Sequence, residues 1–170
     1  IGQGVTKNPS RAVLLLYAAA MNGDANAMKE LEDMARAEPS RPEAVLFGQR
    51  LDNTDRNSMR EALRQYGATV IREDDAYICD LYDAAKVAPG ARQMAICYGP
   101  GKHGPLGFLE LDYTAPNNTV EGMILKMVTD RFGKASAGEG DDAHLWNLGS
   151  VVVATRYEPT RGQLSLMYMV

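Results

Sequence analysis

Apolar residues recur at helical spacing in the first part of the chain and at strand spacing later. Residues 11–22 predict a first helix, with Ser10 to cap it and Gly23 to end it. A second helix follows in "ANAMKELEDMARAE", with Met28, Leu31, Met34 and Ala35 on one face and Pro39 and Pro42 as its stop. "NTDRNSMREALRQYG" predicts a third, capped helix, with Met59, Leu63 and Tyr66 on one side and Gly67 as terminator. The period then drops to two. Four strand-like runs, "ATVIRE", "AYICDLYD", "ARQMAICYG" and "LGFLELDYT", are separated by the turn chemistry of "DD", "APG" and "GPGKHGP". Asn118 or Thr119 opens another helix, "VEGMILKMVTDRFG", ending at Gly133. Beyond the glycine-rich "KASAGEGDDAH" come "LWNLG", "SVVVATRYE" and "QLSLMYMV".

The order of these elements repeats. One helix ends in Tyr66-Gly67 and another in Phe132-Gly133, and each feeds a loop and a series of strands; Tyr77 and Trp146 occupy similar places. Hairpin-length connections favour antiparallel pairing. The expectation is an α+β protein: an antiparallel sheet from a tandem helix-then-strands repeat, helices on one face, and a helical hairpin before it. Ser40 to Asn57 holds the boundary, giving an arm and hairpin over 1–43 and an α+β domain over 44–170. Alternation puts Leu164, Leu166 and Tyr168 on one face of the last strand, and Ser165, Met167 and Met169 on the other. Both sheet faces therefore carry apolar groups. The second face either is covered by the N-terminal hairpin or meets a partner.

Cys79 and Cys97 are the only cysteines, and the turn at "APG" lies midway between them. A symmetric hairpin sets them opposite each other and predicts a disulfide, provided that the protein is exported. The same register sets Asp80 opposite Ile96, on the face of Ile78, Tyr82, Met94 and Tyr98. Either a bulge shifts the pairing, or Asp80 is a buried carboxylate with a partner.

Composition narrows the function classes. A chain of 170 residues with net charge −4 folds without needing a metal or disulfide, and it lacks the basic footprint of a nucleic-acid binder. The apolar run Ala12 to Met21 is too short to span a bilayer. Ile1 stands where a Met would open a complete chain, which predicts that an export signal, lipid-anchored leader, further domain or tag preceded it.

Two resemblances attach to particular segments. "AAMNGDANAM" resembles the turn of a Sel1-like repeat, a relative of the tetratricopeptide repeat. "KMVTDRFGKA" before "HLWNLGSVVVATRYE", with a closing "LSLMYM" and an "FG…L" opening at Phe47 to Leu51, resembles bacterial extracytoplasmic domains. They include the β-lactamase-inhibitor-protein-like fold and the small lipoprotein of the outer-membrane barrel-assembly machinery. Over about residues 44–170 the resemblance implies helices on an antiparallel sheet. It also implies a periplasmic or envelope location and an inhibiting, scaffolding or immunity-type role rather than catalysis. It transfers no functional residue.

No reaction chemistry assembles locally. Cys79 and Cys97 lack zinc spacing, and His103 and His144 read as exposed loop residues. "GPGKHGPLG" fails as a phosphate loop: Ile96 stands at the first glycine position, His103 follows Lys102, and a strand comes next. It reads as a mobile hairpin loop. Ser150 lacks a nucleophile elbow, and Ile96 and Tyr98 put Cys97 inside a strand. The expectation is a non-catalytic protein-binding module without a cofactor. The alternative is an enzyme whose metal is held by Asp141, Asp142 and His144.

Overall fold

A computed structural model describes residues 16, 19–20, 22–36, 42–115, 118–135 and 143–170. The predicted arm over 1–9, most of the first predicted helix, and Asp141 and Asp142 lie outside the described residues. Helix α1 (Ala25–Arg36) is capped by Asp24, whose Oδ1 accepts from the amides of Asn26 and Ala27 at 2.9 and 3.1 Å. Its face differs from the expected one, since Ala27 is buried and Met28 exposed.

A small hairpin follows, β1 (Val45–Leu46) and β2 (Gln49–Arg50). Its two central residues, Phe47 and Gly48, have φ of 52° and 71°, as a type I′ turn demands. A 3₁₀ turn over Leu51–Asn53 leads to α2 (Arg56–Gln65), which is capped by Asp55 through a 2.8 Å bond from the Ser58 amide. Then come β3 (Thr69–Arg72), β4 (Cys79–Asp83), β5 (Ala91–Tyr98) and β6 (Leu106–Thr114). Helix α3 (Asn118–Phe132) precedes β7 (Ala143–Asn147), β8 (Val152–Glu158) and β9 (Gln163–Met169). The seven strands β3 to β9 form one antiparallel sheet in the order β3-β4-β5-β6-β9-β8-β7.

Pairing partners line up in rows across this sheet, and the rows explain which face is buried. Asp80, Ile96, Leu109, Tyr168, Val153 and Trp146 form one row. Tyr82, Met94, Leu111, Leu166, Thr155 and His144 form the next. Most of these side chains belong to the main core together with Met59 and Leu63 of α2 and Ile124, Val128 and Phe132 of α3. Both helices thus pack on the same sheet face, each by residues at helical spacing. Trp146 locks the end of α3 to the sheet by donating its indole N–H to the Gly133 carbonyl at 2.8 Å. Burial pushes the hydroxyls of Tyr113 and Tyr168 up to about 12.

Two side-chain expectations are corrected. Tyr66 sits at the C-cap of α2, beyond its buried stripe, and is 56% exposed with its ring edge-on to Phe47 at 5.7 Å. His144 is no loop residue: it lies within β7, half-buried, in the row that includes Thr155. The β5–β6 loop is tied down at its far end, because Gly104 accepts from the Arg56 amide at 3.1 Å and Leu106 donates to Thr54 at 3.0 Å. A Cβ on Gly104 would stand 1.9 Å from the Gly99 carbonyl oxygen, so only glycine fits this close approach. The loop does meet the N-terminus of α2, but the Asp55 carboxylate already caps that end.

Candidate functional site

The β4–β5 register is the one expected, with Cys79 opposite Cys97 and Asp80 opposite Ile96. The Tyr98 amide donates to the Ile78 carbonyl at 2.9 Å, so that pair is hydrogen-bonded and the cysteine pair beside it is not. Side chains stand closest at non-hydrogen-bonded pairs. Cys79 and Cys97 are joined there by a disulfide.

No bulge removes Asp80 from the core face. It is fully buried, and Arg60 of α2 grips it by two parallel bonds, Nε to Oδ2 at 2.7 Å and Nη2 to Oδ1 at 2.8 Å. Arg60 also donates to Asp75 at 2.8 Å. Arg56, one turn earlier and itself buried, donates to the carbonyls of Tyr77 and Ile78 at 2.8 and 2.9 Å and lies 4.9 Å over the Tyr98 ring. Arg64, one turn later, pairs with Glu73, which also accepts from the Tyr82 hydroxyl at 2.8 Å. Three arginines at four-residue spacing thus clamp the entrance of β4. Arg72 adds a bond to the Cys79 carbonyl at 3.1 Å.

The clamp's electrostatics are those of a closed structural tie. Hydrogen bonding to Asp80 raises the Arg60 guanidinium further above its ordinary value. The Arg60 bond holds the Asp75 carboxyl below its own. Burial, then the bond to Glu73, raises the Tyr82 hydroxyl well beyond the usual tyrosine range. Carboxylates and guanidinium groups here neutralise one another.

The opposite face of the sheet has a different character. Its first row is Cys79, Cys97, Phe108, Met169, Val152 and Asn147. Leu81, Ala95, Glu110, Met167, Ala154 and Leu145 form the second. The third is Asp83, Gln93, Asp112, Ser165, Arg156 and Ala143. The face therefore grades from apolar to polar along the strands. Leu145, Ala154 and Met169 anchor a second, smaller apolar cluster with Phe108, Val152 and Met167 against them. At the polar end lies a cavity of about 290 Å³ lined by Glu110, Asp112, Ser165, Arg156, Glu158 and Arg161. Glu158 takes both arginines, at 3.2 Å from Arg156 and 3.4 Å from Arg161. Asp112 accepts from the Ser165 hydroxyl at 3.0 Å.

Glu110 is the odd member of its row, a carboxylate between Ala95 and Met167. Burial raises its pKa above the ordinary 4.5, and neighbouring Asp112 adds to the rise. A raised carboxyl contributes stability below about 4.5 that is lost as pH climbs through its folded value. At neutral pH the charged Glu110 therefore costs stability. The variant Glu110→Gln is expected to melt higher than the parent by roughly 1–2 °C at neutral pH. Thermal melts across pH check this: the gain shrinks on acidification and is gone once both states are protonated.

The edge strand β3 is a weaker candidate surface. Val70 and Ile71 are exposed, at 45% and 58%, but a register shift between Val70 and Arg72 breaks the ladder after two residues. Of the expected site residues, the structure brings Cys79 and Cys97 together. It leaves His103 exposed in the β5–β6 loop beside Asp55 at 3.3 Å, with His144 in β7. Among the described residues no group of three or more metal-ligating side chains converges. Sequence reasoning missed the arginine clamp and Glu110. The signal was there in the spacing of Arg56, Arg60 and Arg64, and in the alternation of Phe108, Glu110 and Asp112.

No family model matches the chain, and neither a curated protein nor a solved structure matches it. Among the described residues no helix is long and apolar enough to cross a membrane.

Proposed function

We propose that the chain is a non-catalytic, extracytoplasmic protein-binding module that docks a partner on the sheet face opposite α2 and α3. The observation that carries this reading is the graded face itself. Side chains of both characters stand on one broad surface, apolar at Phe108 and Met167 and polar at Asp112 and Ser165. Interfaces likewise bring apolar and polar side chains together on one surface. The disulfide supports a compartment outside the reducing cytosol, hence a periplasmic or envelope location.

The finer architecture belongs to the same proposal. We read the fold as a tandem helix-then-strands repeat of the β-lactamase-inhibitor-protein-like kind, preceded by a Sel1-like hairpin. The adjacency of β6 and β9, the closing strands of the two units, supports it. So does the glycine at the end of each helix, Gly67 and Gly133, with φ of 79° and 83°.

Affinity capture from extract of the source cell's envelope tests the docking reading. The parent should retain a defined protein, and Ala95→Tyr, which places bulk mid-face on a strand that tolerates it, should retain at least about tenfold less. Equal retention by the two would refute the docking site. Metal analysis of purified protein addresses the other reading, in which Asp141, Asp142 and His144 hold a catalytic ion; stoichiometric transition metal would favour it.

A further inference from the structure

The described methionines divide by depth. Met59 and Met94 are fully buried in the main core, and Met169 is buried in the smaller cluster with half-buried Met167 against it. Met123 and Met127 are the opposite case, 67% and 47% exposed on α3. They stand four residues apart, so their side chains are neighbours on the helix, with Cβ atoms about 5–6 Å from each other. Ile124 and Val128, the residues that follow them, are the ones turned inward to the core. The surroundings of the two sulfurs are open: a Cβ on neighbouring Gly122 would meet nothing within 4 Å, and Lys126 reaches to Asp130 at 2.6 Å.

We infer that Met123 and Met127 form a surface oxidation site, where peroxides convert both thioethers to sulfoxides while the fold stands. A thioether reacts where the oxidant reaches it, and the product is a polar, chiral group. The peroxide O–O bond breaks, one oxygen bonds to sulfur, and the sulfur gives up two electrons as the peroxide leaves as water. In a core such a group would be a buried polar atom without a partner, which is costly. On the outer side of α3 the new S–O dipole points into water, and the inward contacts of Ile124, Val128 and Phe132 are untouched. The return step takes two electrons and two protons from the thiols of a methionine sulfoxide reductase and releases water, so the site can cycle. Buried Met59 and Met94 keep their thioethers because the same oxidant must wait for the core to open.

The test exposes the full chain to hydrogen peroxide and follows each methionine by peptide mass spectrometry. Met123 and Met127 should become sulfoxides at least about tenfold faster than Met59 and Met94. Rates closer together than that would overturn the inference. The preference should vanish in guanidinium chloride, where every methionine is exposed; a preference that survives unfolding would show that the fold does not set it, and would overturn it too. The Met123→Leu, Met127→Leu variant keeps side-chain volume and helix propensity and has no sulfur at the site. Oxidised alongside the parent, until the parent's pair is converted, it carries the same changes elsewhere, exposed Met28 of α1 included. The two oxidised proteins should melt within about 3 °C of each other. A parent that melts lower by more would show that sulfoxides on α3 break the fold, and the site would be a lesion rather than a tolerated modification.

Discussion

Asp80→Asn should lower the unfolding free energy by about 3–5 kcal/mol, the penalty for stranding one member of a buried ion pair. The side chain is fully buried, and its carboxylate receives both bonds of the Arg60 fork. Asparagine keeps the volume but offers one acceptor and two donors to a guanidinium that only donates. Arg60 would retain Asp75, which lies at the surface and cannot replace a buried counter-charge. Urea titration reads the loss as a lower midpoint with an unchanged slope. In melting temperature the same loss amounts to roughly 8–16 °C. The paired replacement Asp80→Leu with Arg60→Met should recover most of it, because a well-packed apolar pair substitutes for buried charges. A double variant as unstable as Asp80→Asn would show that the clamp contributes by more than charge compensation.

Opening the Cys79–Cys97 bond should cost about 2–3 kcal/mol, as expected for a short loop closed in the unfolded chain. The two residues are 18 apart in sequence. The value sits toward the low end because a hairpin that forms transiently in the denatured state has already lost some of that entropy. A reducing agent should lower the parent's stability by the amount lost in the Cys79→Ser, Cys97→Ser variant and leave that variant unchanged. Two free thiols in freshly oxidised protein would contradict the bond itself. The disulfide and the arginine clamp hold the same short segment, Tyr77 to Asp80, from opposite faces of the sheet. Their losses should therefore not add. A combined variant that loses less than the sum would show the two ties acting on one local unfolding step.

Strand pairing was legible because its determinants are local. Turn residues between Asp83 and Ala91 set the β4–β5 register, and period-two alternation then assigned every side chain on both strands to a face. The same reasoning exposed Asp80 as a carboxylate needing a partner. It could not name Arg60, twenty residues earlier, because that depends on the angle at which α2 crosses the sheet. Tyr66 misled for a related reason: it continues the helical stripe of Met59 and Leu63 in spacing, but the helix ends at Gln65 and the chain turns away. His144 was placed by its polar neighbours, whereas its strand is defined by pairing with β8, where Thr155 stands opposite it. The second face was half-legible. Alternation showed that both faces carried apolar groups, but its grading from Phe108 to Asp112 emerges only when six strands are aligned.

Site-specific photo-crosslinking most directly tests whether that face is a docking surface. A photoreactive residue at Phe108 on that face is compared with one at Met123, which is 67% exposed on α3, across the sheet. In envelope extract, the Phe108 probe should give a discrete protein adduct. Excess unlabelled parent should suppress that adduct, excess Ala95→Tyr should not, and the Met123 probe should give none. A Phe108 probe that yields no saturable adduct while the Met123 probe does would contradict the account.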